Sequence, residues 1–490
     1  MTESSLAVNQ ETGQDQNPGQ DQNPAQDREG QDREGQRYPL SFTQEWFLTL
    51  DQGDDGGTFG PRFMMIYALR VTGQVDPDVL QGALDDVVAR HELLRTVVIR
   101  DANPPCQQVL PPCQVPLEVR DLSSVTADDR AMSVQELILE AESGSISARE
   151  VPLIKALLCR FDDRDSALVL TVHHSACDAW SMQIILRDLG TCYTARRTGT
   201  PAQLPPMRQY REYAAWQRAS ATSTAEDGAP KYWQRKLGGA REFNIPNDHG
   251  HPQTYTQHYS QCAYVYEADV MAPAEALATA TRSTLFTVTL AAFYVLAHQL
   301  TGDTDLTIRA FSTGRNEPEF QNTMGLFLNC IPFRTDITSC TSFRDLILAT
   351  RETMFDAMAY ELPVNVIEQA FPDLTTPRED RRTSQFIISD GTAVPGEDVP
   401  LPIADGAREV IRRLSQGPGH HDIPSGTVWN LAQEPSGQNC GGVLYNLDEF
   451  NESTVDDWVA RLRHILTTAV RNPDQDWRLH ASPAGAGNPR

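Results

Sequence analysis

The residues best suited to chemistry lie together at 168–189, in the run LVLTVHHSACDAWSMQIILRDL. Up to the histidines the pattern alternates. Leu168, Leu170, Val172 and His174 share one side of an extended chain, with Val169, Thr171 and His173 on the other. After Ser175 the period lengthens. Met182, Ile185, Leu186, Leu189 and Tyr193 recur at helical spacing, which predicts a strand, a turn and an amphipathic helix. An imidazole exchanges protons near neutral pH, and Asp178 stands four positions past His174, just before the helix. The competing reading is a buried imidazole satisfied by hydrogen bonds, with Asp178 as a helix cap. The residues alone leave both open. Ser181 reads as a helix N-cap.

The elements that must position this stretch alternate strand and helix. Strands are predicted at 63–71, 152–161 and 168–173, and helices at 77–91 and 134–142, with a loop at 104–116. A Pro-rich connector at 201–206 leads to a second portion. There, short helices are expected at 210–218 and 231–237, and longer ones at 287–300, 343–360 and 455–470. Strands are expected at 263–268, 305–310, 324–332 and 383–389, and a Pro/Gly-rich surface excursion at 391–426. The pattern is α/β, with open sheets covered by helices. Residues 1–37 repeat GQDQNP and QDREG, hold almost nothing to bury, and are expected to be a disordered tail. The remaining bounds are a first lobe at 38–205, a second at 206–477 and a frayed end at 478–490.

Bulk properties narrow the partners. The 490 residues are 40% hydrophobic and 22% charged, ordinary for a globular chain with room for two lobes. A formal net charge of −25 argues against nucleic acid and against an acidic membrane surface. Nine scattered cysteines without a CxxC pair point to neither disulfides nor a thiolate metal site. With no apolar run of membrane-spanning length and no secretory pattern, a cytoplasmic location is expected. His249, His251 and His258 lie in a loop without a fourth ligand, so no metal is expected; Cys177 reads as a small buried thiol. His420 and His421 read as solvated, and no phosphate-cradling glycine loop is present.

Taken in order, several segments resemble the condensation domains of nonribosomal peptide synthetases. LSFTQEWFL (40–48), RHELLRT (90–96), HHSACDAWS (173–181), STGR (312–315), MGLFLNCIPFR (324–334) and YELPVNVIEQ (360–369) are similar to the family's motifs in the same order, over roughly 38–477. The resemblance implies two chloramphenicol acetyltransferase-like lobes forming a V-shaped pseudo-dimer around a central tunnel. His174 would be the catalytic residue, with His173 pointing away from the tunnel. Asp178 would be held by an arginine, for which Arg315 is the candidate, and so be structural.

Two departures stand out. The family's glycine after the aspartate is Ala179 here; alanine would penalise a left-handed backbone by about 1–2 kcal/mol or narrow the tunnel. No adenylation or carrier module is recognisable, so a free-standing enzyme served in trans is expected. Asn329 either lines the tunnel with Ala179 and Ser181 or makes only internal bonds.

The implied activity joins a carrier-protein-bound acyl or aminoacyl thioester to an amine or hydroxyl acceptor. The thioester would ride on the partner's phosphopantetheine arm, with no cofactor of the chain's own. The acceptor would be a small molecule or itself carrier-bound. Two alternatives stand beside it: a carrier-independent acyltransferase of the same superfamily, and a non-catalytic domain that recruits carrier proteins or tailoring enzymes.

Overall fold

The computed structural model describes residues 36–224, 228–252, 255–256, 259–266, 268–375, 383–390, 408–411, 417–419, 426–433 and 439–481. Among these residues, seven strands precede the Pro-rich connector: β1 Gln36–Pro39, β2 Met64–Thr72, β3 Thr96–Ile99, β4 Cys106–Val109, β5 Leu117–Asp121, β6 Ile154–Asp162 and β7 Asp165–His173. Nine follow it: β8 Asn244–Pro246, β9 Tyr259–Tyr266, β10 Asp305–Ser312, β11 Asn329–Asp336, β12 Thr383–Asp390, β13 Arg408–Ile411, β14 Gly417–Gly419, β15 Thr427–Gln433 and β16 Asn439–Asn446. One five-stranded sheet runs β13-β2-β7-β6-β5, an eight-stranded sheet runs β11-β10-β12-β15-β16-β9-β14 with β8 on β12, and a small sheet runs β1-β4-β3.

β7 is central to the first large sheet, paired antiparallel to β2 and β6. All nine of its residues are buried, which is why it reads as a nearly unbroken apolar run. Helices Pro77–Arg90 and Ala179–Thr198 pack together beside it, sending Leu80, Leu84, Val87, Met182, Ile185 and Leu189 into one core. The second sheet is covered by Leu285–Thr301, whose residues from Phe286 to Ala297 are all buried, and by Phe343–Ala359 and Glu452–Arg471. Burial on every side explains that helix's apolar composition. Among the described residues, no single helix is long and apolar enough to cross a membrane.

Several expectations need correction. The 104–116 loop contains β4, whose four residues carry too little apolar pattern to announce a strand but pair with both β1 and β3. β1 also draws Gln36 and Arg37, placed in the tail by composition, into a sheet. Tyr210 and Tyr213, beyond the connector, pack into the first lobe's core, so that core does not end at residue 205. The surface excursion of 391–426 supplies β13 to the first lobe's sheet and β14 to the second; much of the rest, including His420 and His421, lies outside the described residues. The strand expected at 324–332 begins only at Asn329.

The chain end is also anchored further than expected. Trp477–Ala481 forms a 3-10 turn with the Trp477 ring fully buried and its Nε1 donating to Cys340 O at 2.8 Å. His480 is buried too. A lone tryptophan after a Pro/Asp-rich turn gives no periodic signal, yet it fills the end of the second core. Trp477→Ala is expected to lower unfolding free energy by about 3–5 kcal/mol in urea titration. A loss under about 1 kcal/mol would mean that this end is frayed after all.

Candidate active site at the lobe junction

Where β7 ends, the chain tightens into a 3-10 turn, His174–Ala176, before the helix Ala179–Thr198 begins. The change of direction splits the histidine pair. His173 is fully buried: its Nδ1 meets Ser175 Oγ at 2.8 Å and the Ser175 N–H, and its Nε2 meets Gly60 O at 3.0 Å. Burial pushes its pKa down to about 4, with His174 and Arg100 adding to the effect. An unfolded histidine titrates near 6.5, so between pH 6.5 and 4 the unfolded chain binds the extra proton. Stability from this group is present above 6.5 and lost as pH falls toward 4, on the order of 3 kcal/mol. His173→Asn is expected to flatten that part of the stability–pH curve; an unchanged slope would refute the assignment.

His174 faces the other way. Its backbone N–H donates to Phe63 O at 2.8 Å, and its ring stacks on Phe63 at 4.7 Å and 12°, with Phe47 edge-on at 6.4 Å. The ring lines a cavity of about 590 Å³ whose walls come from both lobes: Phe47, Phe63 and Met65 on one side, Phe311, Ile387 and Val428 on the other. This is the size of a small-molecule site, apolar with few polar groups.

Asp178 sets the turn. As N-cap it accepts from the Ser181 N–H at 2.7 Å. Its carboxylate also takes Arg315 Nη2 at 3.1 and 3.2 Å and the Phe327 N–H at 3.1 Å. Arg315 gives Nη1 to Phe320 O and Thr323 O and lies over the Phe327 ring at 4.0 Å. The pair ties the segment 312–328 of the second half to the first lobe. Glycine is required twice in that segment. A Cβ at Gly314 (φ 61°) would stand 1.9 Å from Phe327 O, and one at Gly325 would stand 2.1 Å from the Tyr210 ring.

The other expected site residues fall in different places. Ser181 is not the cap, because Asp178 takes that position. It is fully buried, and its hydroxyl reaches Gly325 O, Gly325 N and Arg315 rather than the cavity. Ala179 is exposed at the first helical position and lines the cavity. Among the described residues the one non-glycine with positive φ is Arg282, so Ala179 carries no left-handed strain; its methyl acts only through width. Asn329 donates to Glu361 and Leu362 O and accepts the Val364 N–H. It borders a second cavity of about 300 Å³ rather than the one at His174. Cys177 is a buried thiol whose pKa burial drives well above its usual value.

His249 bonds Asn451 and His251 bonds Glu449 and Tyr255, while His258 lies outside the described residues. No cluster of three or more metal-ligating side chains occurs among the described residues.

Two networks were not foreseen, although Arg90, His91 and Glu368 lie in the RHELLRT and YELPVNVIEQ segments. Asp188, fully buried, holds Arg90, His91 and Arg187 at 2.8–2.9 Å, so the RHELLRT segment pins the helix that follows the site. Arg309 of β10 stands between Glu242 and Glu368, and both Arg309 and Glu368 line the His174 cavity.

The Condensation domain family matches residues 34–383. The chain belongs to that family. Condensation domains in nonribosomal peptide synthetases are acyl-transferring enzymes that form C–N bonds, and their fold is that of chloramphenicol acetyltransferase. The chain is 29% identical over 452 residues to the phosphinothricin tripeptide synthetase PhsC of Streptomyces viridochromogenes; the match covers 91% of this chain but 40% of that synthetase. Among solved structures, the SgcC5 protein of Streptomyces globisporus matches with TM-score 0.83 and 34% identity over 89% of this chain and 100% of its own. The X-domain from teicoplanin biosynthesis matches with TM-score 0.73 at 22% identity, covering 90% of this chain and 97% of that one, a likeness of fold alone.

Proposed function

We propose that this condensation domain joins an acyl or aminoacyl thioester, delivered in trans on the phosphopantetheine arm of a carrier protein, to a hydroxyl or amine acceptor. The observation that carries the reading is the His174 ring, braced by Phe63 and turned into the shared cavity, while His173 is fixed in the core. A thioester is already activated, so the remaining tasks are alignment, proton removal and charge stabilisation. His174 accepts the proton of the attacking O–H or N–H as that atom bonds to the acyl carbon. The C–S bond then breaks, and the proton passes to the departing thiolate. Asp178 and Arg315 hold the turn that presents the imidazole and do not touch substrate.

A hydroxyl acceptor has support of its own. SgcC5 was solved with (R)-(−)-1-(2-naphthyl)-1,2-ethanediol, an aromatic diol. The aromatic-walled cavity here suits a ligand of that kind. The test mixes the protein with an acyl-loaded carrier protein and a panel of aryl diols and amines, and follows the carrier by intact-protein mass spectrometry. Loss of the acyl group dependent on acceptor supports the reading. Equal transfer from coenzyme A thioesters would make it a carrier-independent acyltransferase. Carrier binding without turnover across the panel would make it a recruitment domain.

A further inference from the structure

The cavity beside His174 has one charged end. Its floor is the second lobe's sheet, where register puts Arg309 beside Ile387, Ile387 beside Val428 and Val428 beside Leu444, all four facing the cavity. The alternate residues Ala310, Ile388 and Trp429 are buried on the sheet's other face. An aromatic wall leads there from the imidazole. His174 to Phe47 is 6.4 Å between ring centroids, Phe47 to Trp46 is 5.7 Å and Trp46 to Phe311 is 6.3 Å, with Arg309 two residues along the same strand.

With Glu242 ionised, this end sets two carboxylates against one guanidinium. Arg309 is almost fully buried and gives Nη2 to Glu368 Oε1 at 2.6 Å, while its Nη1 stands 3.5 Å from Glu242 Oε2. Two carboxylates thus share one guanidinium. Glu242 Oε1 is buried without a hydrogen-bond partner, and burial raises that carboxyl's pKa to about 7. Among the described residues lining the cavity, Arg309 is the one full cation, and Asp178 is already neutralised by Arg315. Glu368 is about a quarter exposed, and its Oε1 is the oxygen that Arg309 holds. Buried charge seeks an opposite charge. An anionic ligand would meet Glu368; a cation would complete the set.

We propose that Glu368, set against Arg309 and Glu242, forms a specificity site for an ammonium group carried by one of the two substrates. The inference rests on the cavity being the place where acyl group and acceptor meet. The cation docks at the Glu368 carboxylate while the rest of the substrate lies along the aromatic and aliphatic walls.

The test offers each substrate in two isosteric forms. The donor is 3-[4-(aminomethyl)phenyl]propanoyl thioester against its 4-ethyl counterpart on the carrier protein. The acceptor is 1-[4-(aminomethyl)phenyl]-1,2-ethanediol against its 4-ethyl counterpart. One pair is expected to show at least a tenfold preference for the aminomethyl form, expressed in KM rather than kcat, and which pair does so identifies the substrate that carries the cation. The preference should collapse toward one in Glu368→Gln and persist in Glu368→Asp. Calorimetric binding of the two diols and of the two donors' pantetheine amides to the His174→Ala protein gives the same comparison without turnover. A binding preference without any transfer would sink the proposed reaction and leave this site standing. No preference in either pair, or a preference that survives in Glu368→Gln, overturns the site.

Discussion

His174→Ala is expected to lower kcat/KM for acyl transfer by about 10²–10⁴-fold, with the larger loss on alcohol acceptors. The two acceptors differ in how much they need a base. An α-amine with a pKa of about 8 is partly neutral near pH 7 and needs the base less, whereas an alcohol keeps its proton until the bond forms. Steady-state rates with matched amine and alcohol acceptors check this, alongside carrier binding, which should persist. The ring's neighbours make the variant informative. Phe63 stacks on it and Phe47 stands edge-on, so truncation opens space in an existing cavity rather than a hole in a closed core. A protein that keeps its stability while losing transfer separates chemistry from folding. Equal losses on both acceptors would assign His174 to positioning instead of proton removal.

Arg315→Ala is expected to cost about 3–5 kcal/mol of stability, because it strands Asp178 as a buried carboxylate without a cation. Thr323 O would also lose its Arg315 donor, Phe320 O would keep only the Thr323 N–H, and the segment 312–328 would lose one of its ties to the helix carrying Ser181. Arg315→Lys should recover less than half of the loss. An ammonium carries the charge but not the fixed fork that meets Asp178, Ser181 and two carbonyls together. Urea unfolding of both variants checks the sizes. Losses under about 1 kcal/mol in both would mean that the ion pair does not hold the lobes' junction. Activity should fall with stability here, since Asp178 shapes the turn that presents His174.

How much of this was legible in the sequence depends on range. Alternation along 168–174 pointed the two histidines in opposite directions, although in the fold the strand ends at His173 and it is the 3-10 turn beginning at His174 that separates them. The helix after Asp178 was equally plain. Its cap was left open between Asp178 and Ser181: serine is a good cap, but the aspartate three residues earlier took the Ser181 N–H, leaving the Ser181 hydroxyl to clasp Gly325. Arg315 stands 137 positions from Asp178, a distance at which periodicity says nothing, and only the motif resemblance brought the two together. The YELPVNVIEQ motif contains Glu368, but nothing in it pointed to Glu242 or Arg309 as its partners. Arg309 sits in a strand that otherwise reads as apolar core, and its partners come from elements far apart in the chain. β4 and the 3-10 turn Trp477–Ala481 escaped because a four-residue strand and a single short turn carry too little pattern.

The most direct test is a crystal structure with an acyl-pantetheine in which an amide replaces the thioester. The account predicts the acyl carbonyl in the 590 Å³ cavity, in contact with the His174 imidazole, and the pantetheine chain running outward between the lobes. A ligand bound elsewhere, with the His174 ring untouched, would contradict it.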